Sequence, residues 1–214
     1  MNDMNTISCL FLDIGGVLLS NGWGHDFRQK AADKFHLDKE EMEERHSIMF
    51  VTYEEGRITL DEYLNRVIFY KRRNFTLSEF RDFIFSLTTP NVEMIDFIKK
   101  LKHQYNLKIV AVSNEARELN AYRIHTFKLN NIIDFFVSSC YVHIRKPDKR
   151  IFELALDLAR VTADEVIYID DVQIFADIAT GTGIKSICHK DVSSTGNALA
   201  AYGLRIKPEN VVYA

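Results

Sequence analysis

A carboxylate, a hydroxyl and a pair of adjacent carboxylates each close an apolar run of this chain. Asp13, Ser113 and the pair Asp170-Asp171 stand at the ends of runs long enough to be buried strands. Open parallel sheets bind their ligands at the carboxyl ends of the strands. A nucleophilic carboxylate, a hydroxyl and two further acids at one sheet edge would suit phosphoryl transfer through an aspartyl-phosphate.

Lys146 adds a cation to this set, and Gly15-Gly16 follow the first carboxylate. A lysine ammonium can neutralise phosphate charge as a compact point charge. The glycine pair leaves backbone amides free to meet an anion. The pattern around Pro147 predicts a helix over 147–160, with proline in its first turn.

Each of these residues also has an ordinary structural interpretation. Asp13 could cap a turn, Ser113 could cap a helix that begins at Glu115, and Lys146 could be a solvated surface residue. Asp170-Asp171 could be a helix-capping pair. Two adjacent acids after a buried strand are costly unless a cation offsets them, and carboxylate oxygens suit Mg²⁺.

The elements that would position these residues alternate along the chain. Strands are predicted over 6–13, 107–112, 135–138, 166–169 and 184–188, and helices over 92–104, 115–128, 147–160 and 174–180. Strands alternating with helices predict an α/β fold with a doubly wound parallel sheet. Residues 21–89 read as helical segments. An insertion of residues 20–90 after the first strand can act as a lid over the sheet edge.

Composition excludes several other functions. The formal net charge of −3 offers no basic surface for nucleic acid. No apolar run approaches the roughly 18 residues needed to span a bilayer, and residues 1–8 do not resemble a signal peptide. The three cysteines form no CxxC pair, which favours reduced thiols and a cytoplasmic location. The oligomeric state is left open.

The four motifs in this order resemble those of the haloacid dehalogenase-like (HAD) superfamily. The matching segments are Phe11-Leu12-Asp13-Ile14-Gly15-Gly16-Val17-Leu18, Val112-Ser113-Asn114, Arg145-Lys146-Pro147-Asp148 and Tyr168-Ile169-Asp170-Asp171. The resemblance points to the branch that contains sugar-phosphate phosphatases. It implies a Rossmann-like core of residues 1–19 and 91–214 with a small helical cap of residues 20–90.

The resemblance also implies catalytic roles. Asp13 would attack phosphorus, and Lys146, Ser113 and Asn114 would hold the transferring phosphoryl oxygens.

The same resemblance implies a magnesium site. Mg²⁺ would be held by Asp13, the Gly15 carbonyl and Asp171, with Asp170 bound directly or through water.

This chain departs from the family pattern at two positions. Gly15 replaces the usual acid–base aspartate, whose help is typically worth about 10²–10⁴-fold in rate. We therefore expect good substrates to have leaving groups that need little protonation, such as anomeric, aryl or acyl phosphates. Phe175 stands where relatives often have Asn or Asp, and it cannot ligate a metal. Trp23 and His25 could line the substrate entrance, and His25 could also replace the missing acid.

The sequence thus predicts a Mg²⁺-dependent phosphatase that acts on a small phosphorylated metabolite. A phosphomutase is disfavoured because Gly15 removes the group that would protonate and deprotonate sugar hydroxyls. A haloacid dehalogenase is disfavoured because that branch lacks the acidic pair. The alternative is a catalytically degenerate HAD-like protein that binds a phosphorylated ligand or a protein partner.

Overall fold

A computed structural model describes residues 7–206 and shows one sheet of five parallel strands. The strands are β1 (Cys9–Leu12), β2 (Lys108–Ser113), β3 (Phe135–Ser138), β4 (Val166–Asp170) and β5 (Lys185–Cys188), in the order β3-β2-β1-β4-β5. The predicted α/β fold with a doubly wound parallel sheet is confirmed. The strand order reverses at β1, and such a reversal opens a crevice at the carboxyl ends of the strands.

Helices connect the strands and also fill the segment between β1 and β2. They are α1 (His25–Phe35), α2 (Lys39–Glu54), α3 (Leu60–Val67), α4 (Leu77–Ser86), α5 (Val92–Tyr105), α6 (Arg117–Thr126), α7 (Ser139–Val142), α8 (Arg150–Ala159), α9 (Gln173–Thr180) and α10 (Val192–Ala201). Two short 3₁₀ turns lie at Leu129–Asn131 and Ala163–Glu165.

Both faces of the sheet are covered, as the continuous apolar strands require. Leu10 and Leu12 of β1 join an apolar cluster with Ile98 of α5. Phe11 points to the opposite face and joins a cluster with Phe152 of α8. Because neighbouring side chains of a strand point to opposite faces, this burial fixes the register of the central strand.

The chain leaves the sheet after Leu19 and returns at Pro90. The two crossing segments are tied by a hydrogen bond from Ser20 N–H to the Thr89 carbonyl (2.8 Å). Helices α1–α4 lie between these points and enclose an apolar cluster of their own, in which Tyr63 is fully buried.

Capping residues define where two helices of this segment begin. Thr59 Oγ1 accepts from Glu62 N–H (3.2 Å), and Glu62 Oε2 accepts from Thr59 N–H (2.8 Å). Thr76 and Glu79 repeat the same reciprocal pair at the start of α4. Such boxes satisfy backbone donors that have no partner inside the helix, so local sequence determines these boundaries.

Two predicted helices begin later than expected. Helix α8 begins at Arg150 and not at Pro147, because residues 147–149 form a turn in which Asp148 Oδ1 accepts from Arg150 N–H (3.0 Å). Helix α6 begins at Arg117 and not at Glu115, because the Glu115 N–H is directed to Ser139 Oγ (3.0 Å) on α7.

Three further outcomes concern the remaining boundaries. The N-cap of α6 is Ala116, so the interpretation of Ser113 as its cap is wrong. Helix α10 was not predicted from the sequence. The predicted first strand would begin at Thr6, which lies outside the described residues.

Within residues 7–206, no helix combines the length and the apolar character that crossing a bilayer demands. Cys9, Cys140 and Cys188 are free thiols, and the first two are buried.

Candidate active site

Lys146 lies between two buried carboxylates at the carboxyl edge of the sheet. Its Nζ is 3.0 Å from Asp13 Oδ1 and 2.6 Å from Asp170 Oδ2, and it donates to Tyr168 Oη at 2.9 Å. The lysine side chain is 1% exposed. A buried ammonium is tolerated only when it is paired and hydrogen-bonded, and here two strands and a loop converge to provide the partners.

Burial and pairing set the charges of this group. Burial raises the pKa of Asp13 to about 6, and the Lys146 ammonium opposes that rise. Burial lowers the pKa of Lys146, but Asp13 and Asp170 raise it by more, so it ends above its usual value. At neutral pH Asp13 is a carboxylate, as a nucleophile must be, and Lys146 is a cation.

Both carboxylate oxygens of Asp170 accept hydrogen bonds from neighbouring groups. Its Oδ2 accepts from both Lys146 and Tyr168, and its Oδ1 accepts from Val172 N–H at 2.7 Å. Burial raises the pKa of Tyr168 well above its usual value, so this phenol keeps its proton and can donate. The fully buried Asp170 therefore orients the lysine.

Asp171 is more accessible and faces the crevice. Its Oδ2 accepts from Asn21 Nδ2 at 3.3 Å. Partial burial raises its pKa, and the Asn21 contact opposes the rise. A Cβ at Gly16 (φ +72°) would lie 2.0 Å from this Oδ2, so only glycine fits there.

The donor set fits a hard divalent cation. One oxygen from each of Asp13, Asp170 and Asp171 lies within 4.8 Å of the others. Lys146 is the cation that contacts this acidic group, so negative charge remains in excess. Oxygen ligands with excess negative charge suit Mg²⁺.

Ser113 and Asn114 occupy different environments at the end of β2. The Ser113 hydroxyl is buried beside Asp13, and its hydrogen bond to that carboxylate lowers the pKa of Asp13. Both polar atoms of the Asn114 side chain hold the Lys146 backbone: Nδ2 donates to its carbonyl (2.9 Å), and Oδ1 accepts from its N–H (2.8 Å). The Lys146–Pro147 peptide is cis. Asn114 thus fixes the loop that carries the lysine.

These residues open into a cavity of about 420 Å³ between the sheet edge and helices α1 and α2. Such a volume is typical of small-molecule sites. Trp23 and His25, both predicted to line the entrance, belong to the wall. His25 is largely exposed and lies 3.5 Å from Glu43, and it is the first residue of α1, with Gly24 as the N-cap.

Sequence reasoning missed several wall residues. A Cβ at Gly15 would lie 3.3 Å from Asn21 Oδ1, so Asn21 occupies the space into which a longer side chain would point. The ring centroid of Phe175 lies 4.9 Å from Lys146 Nζ, and an aromatic face attracts a cation at this distance. Phe175 therefore packs against the buried lysine. His46 and Glu54 of α2 also line the cavity, and only their tertiary position reveals it.

Comparison with known families agrees with this geometry. A model described as haloacid dehalogenase-like hydrolase matches residues 23–188, which is more than half of the chain. The protein belongs to this family. The predicted family and the prediction of a hydrolase are confirmed. Asp13 and Gly15 precede the matched range of this HAD-like hydrolase.

Two curated relatives are similar to parts of this HAD-like hydrolase. The pig bifunctional epoxide hydrolase 2 (Sus scrofa) is 33% identical over 61 residues, covering 28% of this chain and 11% of the relative. The rat protein of the same name (Rattus norvegicus) is 25% identical over 126 residues, covering 56% and 22%. The matched part of the chain therefore spans about a tenth of the length of the pig protein and about a fifth of the length of the rat protein.

Solved structures share the fold. A HAD family enzyme from Bacteroides thetaiotaomicron superposes with a TM-score of 0.78 at 20% identity, covering 91% of this chain and 98% of that one. The same enzyme in complex with magnesium and inorganic phosphate gives 0.73 at 21% identity, covering 87% and 98%. L-2-haloacid dehalogenase from Xanthobacter autotrophicus gives 0.60 at 16% identity, covering 98% and 92%.

Proposed function

We propose that this HAD-like hydrolase is a Mg²⁺-dependent phosphatase that acts on a small phosphorylated metabolite, such as a sugar phosphate. The main support for this proposal is the position of buried Lys146 between Asp13 and Asp170, with Asp171 beside them. An excess of carboxylates repels an anionic substrate unless a divalent cation is present. This favours a metal-assisted phosphatase over a dehalogenase, although a dehalogenase and a HAD family enzyme solved with magnesium and inorganic phosphate both share the fold.

Asp13 is proposed as the nucleophile. One of its oxygens attacks phosphorus, and the ester P–O bond breaks. The leaving oxygen departs with the bonding electron pair and takes a proton from water. Water then attacks the aspartyl-phosphate, which releases inorganic phosphate and restores the carboxylate. Splitting the reaction in this way replaces one difficult displacement by two easier ones.

The magnesium ligands would be Asp13, Asp171 and the Gly15 carbonyl, with Asp170 bound directly or through water. When bound, Mg²⁺ would offset the repulsion between the attacking carboxylate and the phosphate oxygens.

Lys146 would hold a transferring phosphoryl oxygen, and the buried Ser113 hydroxyl would hold another. Because the Asn114 side chain is occupied by the lysine loop, its share of phosphate binding would fall to its backbone N–H. Preorganised donors of this kind stabilise charge that develops in the transition state.

We further propose that residues 20–90 form the cap domain and residues 1–19 with 91–214 the core of a cytoplasmic enzyme. Trp23 and His25 would line the substrate. A cap over the site excludes bulk water and strengthens the electrostatic interactions inside.

The test is phosphate release from an aryl phosphate, measured with Mg²⁺ and with EDTA. We expect Mg²⁺-dependent turnover in the wild type and none in Asp13→Asn. Asp177→Asn is the matched control, because Asp177 lies on the surface of α9 and accepts from Gln173 (2.7 Å). Equal turnover in EDTA, or full activity of Asp13→Asn, would refute the proposal.

A further inference from the structure

The part of the cavity away from the acidic group, called the cap half here, is lined by residues of the 20–90 segment and by Glu115 and Arg145. Its charged side chains are each paired with a group of opposite charge. Arg28 binds both carboxylate oxygens of Glu43, with Nε–O distances of 2.9 and 3.0 Å. Arg145 contacts Glu54 Oε2 through Nε (3.0 Å) and through a second guanidinium nitrogen (2.9 Å).

A third pair completes this wall. Glu115 is 4% exposed and binds the fully buried Arg123, which also donates to the Ser20 carbonyl. Above about pH 7, where Glu54 is ionised, the described wall beyond the phosphate end of the cavity therefore offers no uncompensated charge to a second ionic group of the substrate.

One donor of the wall has no partner. His46 is 6% exposed, lines the cavity, and contacts Tyr63 Oη through Nδ1 at 2.6 Å. Trp23 Nε1–H donates to the same Tyr63 oxygen at 2.8 Å. Within residues 7–206, His46 Nδ1 is the acceptor in reach of the Tyr63 hydroxyl proton, so the imidazole proton belongs on Nε2.

His46 adds no charge to the wall. Burial and the nearby Arg28 lower its pKa to about 4, against the opposing effect of Glu43. The ring is therefore neutral at physiological pH. Its Nε2–H, with no hydrogen-bond partner in the described structure, is a donor available to an oxygen of a ligand.

We propose that the cap half of the cavity selects phosphate esters of uncharged, hydroxylated molecules, with His46 as the donor that recognises one of their oxygens. This inference rests on the proposed function and adds the class of leaving group. The wall contributes Trp23, Phe50 and Tyr53, whose rings suit an apolar face of such a molecule. A second anionic group would lose its hydration without gaining a free cation.

The first test compares two ligands that differ in one group. Glucose 1-phosphate and glucuronic acid 1-phosphate share the ring and the anomeric phosphate, and differ by a hydroxymethyl against a carboxylate. Calorimetric binding to Asp13→Asn with Mg²⁺ needs no turnover, so it is independent of catalysis. We expect the uncharged ligand to bind at least about tenfold tighter. Equal binding, or tighter binding of the glucuronate, would overturn the inference even if the enzyme is a phosphatase.

The second test changes the charge of the wall. Glu54→Gln leaves Arg145 without a carboxylate, so the preference for the uncharged ligand should fall by about tenfold or more. Glu55→Gln is the matched control, because Glu55 is the next residue and pairs with the exposed Arg57. An unchanged preference in Glu54→Gln would contradict the charge argument.

The same pair predicts a pH dependence. Burial raises the pKa of Glu54 to about 7, opposed by Arg145 and Lys146 and reinforced by Glu115. As the pH falls through about 7, Glu54 gains a proton and Arg145 is left with net positive charge. Binding of the glucuronate should therefore improve relative to glucose 1-phosphate below this pH, and Glu54→Gln should abolish the change.

The third test isolates the histidine donor. His46→Gln can place an amide N–H near the position of Nε2, whereas His46→Asn reaches only the position of Nδ1. We expect His46→Asn to raise KM for glucose 1-phosphate at least about tenfold, with His46→Gln close to wild type. Inhibition by inorganic phosphate should be unchanged in both.

Tyr63→Phe provides a second route if the histidine variants do not fold. It removes the hydroxyl that fixes the imidazole proton on Nε2 and should also raise KM. A parallel loss of phosphate affinity in these variants would indicate a structural role and overturn the assignment of His46.

Discussion

Replacing Gly15 by aspartate should restore the acid–base group that this site lacks. A Cβ at this position would lie 3.3 Å from Asn21 Oδ1 and 3.7 Å from Asn21 Cα, and the backbone there is not left-handed. The Asn21 side chain must therefore move by a few tenths of an ångström. Its contact with Asp171 is long (3.3 Å) and exposed, so little is lost when it moves.

The gain follows from two opposing effects. General acid–base help is worth about 10²–10⁴-fold, and loss of one hydrogen bond at Asn21 costs about 1 kcal/mol, or roughly fivefold. The Gly15→Asp variant should therefore hydrolyse alkyl phosphates about 10–10³-fold faster than the wild type. Aryl phosphates should change little, because their leaving groups depart without a proton.

The assay is kcat/KM for a series of aryl and alkyl phosphates, plotted against the pKa of the leaving group. We expect a steep decline for the wild type and a shallower one for Gly15→Asp. Gly15→Asn is the control, since it fills the same space without an ionisable group and should keep the steep slope. Equal wild-type rates on alkyl and aryl phosphates, or an unchanged slope in Gly15→Asp, would refute the reasoning.

Three further changes test other parts of the site. Gly56 has a left-handed backbone (φ +66°), and Gly56→Ala would place a Cβ 2.1 Å from the Cys140 carbonyl oxygen. The variant should lower the free energy of unfolding by about 1–3 kcal/mol, seen as a lower melting temperature and lower activity. Asn114→Ala removes both bonds to the Lys146 backbone, and should lower kcat by about 10–10²-fold with a smaller effect on folding. Asp171→Asn should raise the Mg²⁺ concentration for half-maximal activity by at least about tenfold, measured by titration.

Matched controls separate these effects from general damage. Gly203 also has a left-handed backbone (φ +87°), but an added Cβ there meets no atom within 4 Å. Gly203→Ala should therefore lower the free energy of unfolding by less than Gly56→Ala. Asn114→Asp keeps the acceptor for the Lys146 N–H and should retain more activity than Asn114→Ala. Equal melting temperatures for the two glycine variants, or Mg²⁺ titrations unchanged in Asp171→Asn, would contradict the contacts described.

The acidic half of the site was predictable because it depends on local pattern. Asp13 and Asp170 follow buried strands, and the alternation of strands and helices brings those strand ends to one edge. Lys146 was placed correctly near this edge, but the helix after it was extended by three residues, since the capping contact of Asp148 carries little signal in the sequence. Helix α10 was missed because its first turns are rich in Ser, Thr and Gly, which are poor helix formers.

The cap half of the cavity was not predictable. His46 and Glu54 sit on α2 among other polar residues, and nothing in their spacing distinguishes them from a solvated face. Their role depends on contacts with Tyr63 and Arg145, 17 and 91 residues away along the chain. The first pair forms only when α2 and α3 pack together, and the second only when α2 meets the loop that carries Arg145.

The most direct test of the central claim is to trap the phosphoryl group on Asp13. The enzyme would be mixed with excess aryl phosphate and Mg²⁺, quenched in acid during steady-state turnover, digested, and analysed by mass spectrometry. We expect a phosphorylated peptide that contains Asp13, and none when Mg²⁺ is replaced by EDTA. Phosphate release without any label on this peptide, or a label on another residue, would contradict it.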